Sequence, residues 1–127
     1  TDISFSPNVI SSAGIQFSAS QDLTFTLLNK FVGNQYMSNT ESNISKLSSY
    51  STTDLNILYT IKNSAYFSEI IVTAMINNIF NKEYVSNGYY YTYDDTWSDP
   101  NLITTIEGTG YYPQAKRNFL LGLTFKL

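Results

Sequence analysis

The chain has 127 residues, a net charge of −3, and neither cysteine nor histidine. That length holds at most one domain. The composition excludes disulfide frameworks, cysteine zinc sites and any Ser-His or Cys-His nucleophile pair, and 13% charged residues with acids in excess leave no basic footprint for nucleic acid.

No run approaches the length of a transmembrane helix. Aromatic residues reach 16%, dominated by 11 Tyr and 8 Phe, which suits the aromatic girdles of an outer-membrane barrel. The first residue is Thr1 and no signal-peptide pattern follows it. The sequence is therefore read as processed, or as the tail of a longer protein.

Thr1 to Asn8 is polar, contains Pro7 and reads as the end of a loop. Val9 to Ala19 alternates, with Val9, Ala13, Ile15, Phe17 and Ala19 opposed to Ser12, Gly14, Gln16 and Ser18; successive side chains of a strand point to opposite faces. Ser20-Gln21-Asp22 is a tight turn. Leu23 to Tyr36 is the second strand, Met37 to Ser49 a polar loop, and Tyr50 to Ile61 the third strand. Its Leu55, Ile57, Tyr59 and Ile61 oppose Asp54, Asn56 and Thr60. After a shorter turn at Lys62 to Ser68 comes a fourth strand, from Glu69 to about Tyr84. Ile70, Val72, Ala74 and Ile76 face one way; Ile71, Thr73, Met75 and Asn77 face the other. Two apolar residues on that second face predict that it meets protein as well as water. Val85 to Ala115 reads as a long, irregular, tyrosine-rich loop.

The last strand, Arg117 to Leu127, has the clearest pattern. Phe119, Leu121, Leu123, Phe125 and Leu127 share one parity; Asn118, Gly122, Thr124 and Lys126 share the other with Leu120. About eleven residues cross a bilayer as a tilted strand. Nowhere does helical periodicity run through an 11-residue window. The expectation is an all-β chain, a five-strand antiparallel up-and-down meander. Its connections alternate between short and long, as in barrels with short periplasmic turns and long extracellular loops. Five strands cannot close a barrel, since single-chain bacterial barrels have even strand numbers from about eight upward. Open edges would leave unsatisfied backbone in lipid. The chain is thus expected to be a piece that lacks strands on its N-terminal side.

Three stretches then carry a resemblance. Asn77-Asn78-Ile79-Phe80-Asn81-Lys82-Glu83-Tyr84 resembles the N-N-L-F-D-K-x-Y segment of TonB-dependent outer-membrane receptors. Gly110-Tyr111-Tyr112-Pro113, followed by Arg117-Asn118-Phe119, is similar to their C-terminal Y-P-x-x-x-R-N-F run. Lys30-Phe31-Val32-Gly33-Asn34-Gln35-Tyr36 resembles the K-Y-V-G-x-Q-Y that ends an upward strand. The resemblance implies that residues 1–127 are the C-terminal part of a 22-stranded barrel whose lumen holds a plug, with plug and earlier strands absent here. It implies a bacterial outer-membrane location and active import of a scarce nutrient, a ferric siderophore being the modal cargo, with cobalamin, haem and oligosaccharide open. The implied partners are outer-membrane lipid and lipopolysaccharide, the barrel-assembly machinery, the small-molecule cargo, and the energy-coupling inner-membrane complex through the absent N-terminal part. Gly122, Phe125 and Leu127 stand where the family carries its barrel-assembly signal. Leu127 departs from the usual terminal Phe.

For chemistry, Tyr89, Tyr90, Tyr91, Tyr93 and Trp97 around Asp94 and Asp95 are the ligand-binding candidates, because tyrosine and tryptophan offer rigid contact area with a polar handle. The same side chains could pack the loop onto its neighbours or sit in an interfacial girdle. Asp94, Asp95, Asp99 and Glu107 offer oxygen ligands for Ca²⁺, but their spacing matches no EF-hand loop, and as a glycosidase pair they lack a tuning pocket. Lys30 and Asp54 fall on the lumen parity of neighbouring strands, as cargo or plug contacts or as an ordinary ion pair. Lys116 and Arg117 top the last strand, as contacts for lipopolysaccharide phosphates or as a solvated basic pair. No catalytic residue, metal or cofactor is expected, and no enzyme. The alternative class is a secreted or surface all-β module whose tyrosine-rich loop grips carbohydrate.

Overall fold

A computed structural model describes residues 3–127. Their regular structure is almost entirely strand: β1 (Ile10–Ser18), β2 (Leu23–Val32), β3 (Gln35–Tyr36), β4 (Lys46–Leu47), β5 (Tyr50–Lys62), β6 (Glu69–Asn77), β7 (Val85–Asp95), β8 (Thr104–Pro113) and β9 (Asn118–Lys126), with one 3-10 turn at Asn43–Ser45. The chain forms two compact units. One holds Ser11–Phe31, Ser51–Lys82 and Ala115–Leu127; the other holds Val32–Tyr50, Glu83–Gln114 and the N-terminal stretch to Ile10.

The first unit is one sheet in the order β1-β2-β5-β6-β9. Each strand lies beside its neighbour in sequence order, so the expected five-strand meander is observed. The registers join the alternations of three strands. Leu55, Ile57, Tyr59 and Ile61 of β5 pair with Ile76, Ala74, Val72 and Ile70 of β6. Those in turn pair with Phe119, Leu121, Leu123 and Phe125 of β9. Directly paired residues share a face, so twelve apolar side chains form one continuous surface. The opposite face is mixed: Met75 sits between Asn56 and Leu120, Thr73 between Leu58 and Gly122, and Ile71 between Thr60 and Thr124.

The short turns gather at one end. Thr60 N donates to Asp22 O at 2.8 Å, and Lys62 pairs with Asp22 at 3.0 Å. Ser68 N donates to Lys126 O at 2.9 Å, and Lys126 also pairs with Glu69. The sheet is open, and every residue of β1 and β9, its two outer strands, is exposed.

Neither face of this sheet has a hydrophobic core. Among the described residues the buried hydrophobics are Val32, the last residue of β2, with Met37 and Leu47, and all three are grouped with the other unit. In the sheet, Phe119 and Leu121 remain 70% and 69% exposed.

The second unit corrects two expectations, and the sheet unit a third. Val85 to Ala115 is not an irregular loop but a regular antiparallel hairpin of β7 and β8, with a shift of register between Val85 and Asn87. Tyrosine and threonine favour strands as strongly as aliphatic residues do, and here they replace the aliphatic residues that mark a strand by hydropathy. The second predicted strand does not run through to Tyr36. It breaks after Val32, and β3 pairs instead with β4, inside the segment expected to be a polar loop. Gly33 makes the break: its N donates to Val9 O at 2.8 Å, and a Cβ there would lie 3.1 Å from the same oxygen. In the sheet unit, the fourth strand ends at Asn77 rather than near Tyr84, because Asn78 and Asn81 take left-handed backbone angles, φ 52° and 53°.

Candidate functional site

The β7–β8 hairpin separates its tyrosines by parity. Tyr89, Tyr91 and Tyr93 share a face, and across from them stand Gly110, Gly108 and Ile106. The rings cover the glycines: a Cβ on Gly110 would collide with the Tyr89 ring, and one on Gly108 with the Tyr91 ring. Covering a bare stretch of strand with a cross-strand ring compensates for the packing that glycine lacks. The rings run in a row. Tyr89 and Tyr91 are 6.2 Å apart at 22°, and Tyr91 and Tyr93 are 6.4 Å apart at 13°. Tyr112, opposite Asn87, extends the row at 6.1 Å from Tyr89. Tyr89, Tyr91 and Tyr93 are each about half exposed.

The other face of the hairpin points into its own unit. Gly88 lies there, and a Cβ on it would meet Gly110 O at 2.5 Å and Met37 Sδ at 2.6 Å. Tyr90 also lies there and donates its hydroxyl to Glu107 Oε1 at 2.5 Å. Ser42 Oγ reaches the same oxygen at 3.5 Å. That bond to Glu107 holds the Tyr90 phenol above its usual pKa, aided by desolvation and by the carboxylate charge.

The acidic residues are taken up locally. Asp94 Oδ1 accepts from Thr105 Oγ1 at 2.7 Å. Asp95 caps the turn after β7, accepting from Trp97 N at 2.9 Å, Ser98 N at 3.3 Å and Ser98 Oγ at 2.5 Å. The Ser98 hydroxyl and the two backbone donors hold its carboxyl below the ordinary aspartate value. Asp99 accepts from Asn101 N at 2.9 Å. No three of His, Cys, Asp or Glu converge on a metal position among the described residues.

The sequence-predicted cluster therefore divides. Tyr89, Tyr91 and Tyr93 come together with Asp95 at their end, Tyr90 and Asp94 turn to the opposite face, and Trp97 stands apart at 94% exposed. Gly108, Gly110 and Tyr112 join the site from outside the predicted set. Their signal is G-x-G paired against Y-x-Y, which becomes legible only once the hairpin register is known.

In the sheet unit, Lys30 and Asp54 share the lining of an open cavity of about 320 Å³ with Ser12, Gly14, Leu28 and Asn29. Ion pairs of this unit include Lys62 with Asp22 and Lys126 with Glu69. Asp54 Oδ1 instead accepts from the backbone N of Asn78 at 2.8 Å. Gly122 lies in the row of Thr73, where an added Cβ would find nothing nearer than 3.9 Å. Phe125 rests against Phe67 at 4.9 Å between ring centres, and Leu127 is 98% exposed.

The stretches that carry the family resemblance hold the backbone. Asn78 is buried; its Nδ2 donates to Lys82 O at 2.8 Å and Ala115 O at 3.4 Å, and its Oδ1 accepts from Lys82 N at 2.8 Å. Asn81 Oδ1 accepts from Arg117 N at 3.0 Å. Asn34 Oδ1 accepts from Ser49 N at 2.8 Å, and Gln35 Nε2 donates to Ser86 O at 3.1 Å.

No family model matches the chain, and neither a curated protein nor a solved structure matches it.

Proposed function

We propose that the chain is the C-terminal sector of a TonB-dependent outer-membrane transport barrel of 22 strands, working in active import of a scarce nutrient, with a ferric siderophore as the modal cargo. The observation that carries this reading is the uncovered apolar face. Twelve registered aliphatic and aromatic side chains form one surface, while the unit's own buried residues, Thr53 and Asn78, are polar. A water-soluble sheet buries one face against a second layer; a barrel wall presents such a face to lipid. The two open outer strands support the same reading, since closure with further strands removes the edges. Short turns gathered beside the C-terminus agree with the periplasmic end of such a wall.

Reading the gene upstream of the Thr1 codon and expressing the whole open frame tests this. The expected product fractionates with the outer membrane, migrates differently on gels before and after boiling, and supports growth on a ferric siderophore only with an intact energy-coupling complex. The competing reading, a secreted or surface all-β binding module, is favoured by the tyrosine row. Recovery of the 127-residue chain as a soluble, cooperatively folded monomer would establish that module and overturn the barrel.

A further inference from the structure

The tyrosine row is a strip in which the Tyr89 and Tyr91 rings lie against glycines of the partner strand and all three tyrosines are about half exposed. Its rings are close to parallel, at 22° and 13°, and repeat at 6.2 and 6.4 Å. Such a strip attracts ligands whose own flat faces carry weakly positive C–H groups, because the face of an aromatic ring is negative. The phenol hydroxyls at the margin supply donors and acceptors to polar groups that project sideways.

Charge narrows the choice. Between Val85 and Pro113 stand Asp94, Asp95, Asp99 and Glu107, and no lysine or arginine. This hairpin repels polyanions. It is also poorly arranged for a cation. Asp94 and Glu107 sit on the opposite face, bonded to Thr105 and Tyr90, and Asp95 is occupied by Ser98 and Trp97.

We propose that Tyr89, Tyr91 and Tyr93 bind a neutral linear oligosaccharide, successive pyranose rings lying on successive tyrosines. This site stands on the hairpin alone and does not depend on what a barrel would carry.

The full-length protein, in detergent where required, is titrated calorimetrically with a panel of neutral linear gluco-, manno-, xylo- and galacto-oligosaccharides. A heparin hexasaccharide and tetramethylammonium serve as charged comparators. The expected result is binding of at least one neutral oligosaccharide and of neither comparator. Tyr91→Leu keeps an apolar cover over Gly108 but removes the aromatic face, and weakens binding by about tenfold or more; Tyr91→Phe keeps the face, loses one hydroxyl, and weakens binding less than Tyr91→Leu. Tyr93→Leu, opposite Ile106 rather than a glycine, provides the same test if Tyr91→Leu fails to fold. The proposal is overturned if no neutral oligosaccharide binds, if both leucine variants bind like the parent protein, or if only a charged comparator binds.

Discussion

Asn78 shows why a residue can be important without touching a ligand. It occupies the left-handed region, which asparagine tolerates better than most residues because its short side chain bonds locally. Its amide joins the end of β6 to Lys82 and to the entry of β9. Replacement by alanine removes these bonds and adds backbone strain. The expected cost is about 2–3 kcal/mol, read as a lowered denaturation midpoint of the folded protein. Asn78→Gly relieves the strain alone and should fall between the two. Asp54→Asn retains an acceptor for the Asn78 N–H and should be milder than Asp54→Ala.

Two groups on the hairpin give opposite pH dependences. The Tyr90 phenol is raised in the folded state, so the stability from its bond to Glu107 is fully present below the ordinary tyrosine value. It is lost as pH rises through the folded one. Tyr90→Phe should remove one late component from the ultraviolet tyrosinate titration. Asp95 is depressed, so its hold on the turn is present above the ordinary aspartate value and lost as pH falls through the folded one. Proteolysis within Trp97–Leu102 should accelerate at low pH, and should already be fast near neutrality in Asp95→Ala.

Within the β7–β8 hairpin, the glycines differ in what stands against them. At Gly88 an added methyl meets a backbone carbonyl at 2.5 Å, which can move only with its strand. At Gly108 it meets the far end of the Tyr91 ring, which can swing aside. Gly88→Ala should therefore destabilise the hairpin by about 1–3 kcal/mol, whereas Gly108→Ala should cost less and chiefly disturb the row of rings. Thermal or denaturant unfolding of the two variants side by side checks the order.

The hairpin is also where sequence reasoning stops short. The five strands of the open sheet are legible because aliphatic residues alternate with polar ones, and the registers of β5, β6 and β9 place their alternations on common faces. In Val85–Asp95 the alternation is tyrosine against threonine, glycine and aspartate. Both parities then look polar-aromatic, and the segment passes for a loop. The partner strand hides further, since Gly108 and Gly110 contribute no side chain to any pattern. For the candidate site, the residue types are legible but not their division between two faces, which only the register decides.

A sheet with one apolar face and no core of its own makes a strong demand on its surroundings. Leu123 and Thr124 are neighbours in β9 that point to opposite faces. In a membrane wall, Leu123→Arg places a charge in lipid and costs about 2–4 kcal/mol near the midplane, while Thr124→Arg should be tolerated. The extent of folding into phospholipid vesicles, read from the boiled and unboiled gel bands, separates the two. In a soluble module neither the parent protein nor the two variants would fold into vesicles.

The pairing of β7 with β8 has a consequence for the order of assembly. β6 and β9 are direct partners, yet Asn77 and Asn118 are separated by residues 78–117. Bringing the ends of a flexible segment together costs entropy that grows with its length. Once the hairpin zips, Val85 and Pro113 are already adjacent, and only 78–84 and 114–117 remain as slack. The saving in closure entropy is about 1 kcal/mol. A locally formed ribbon of tyrosines and glycines thus acts as a drawstring, shortening the search that the last strand makes for its place.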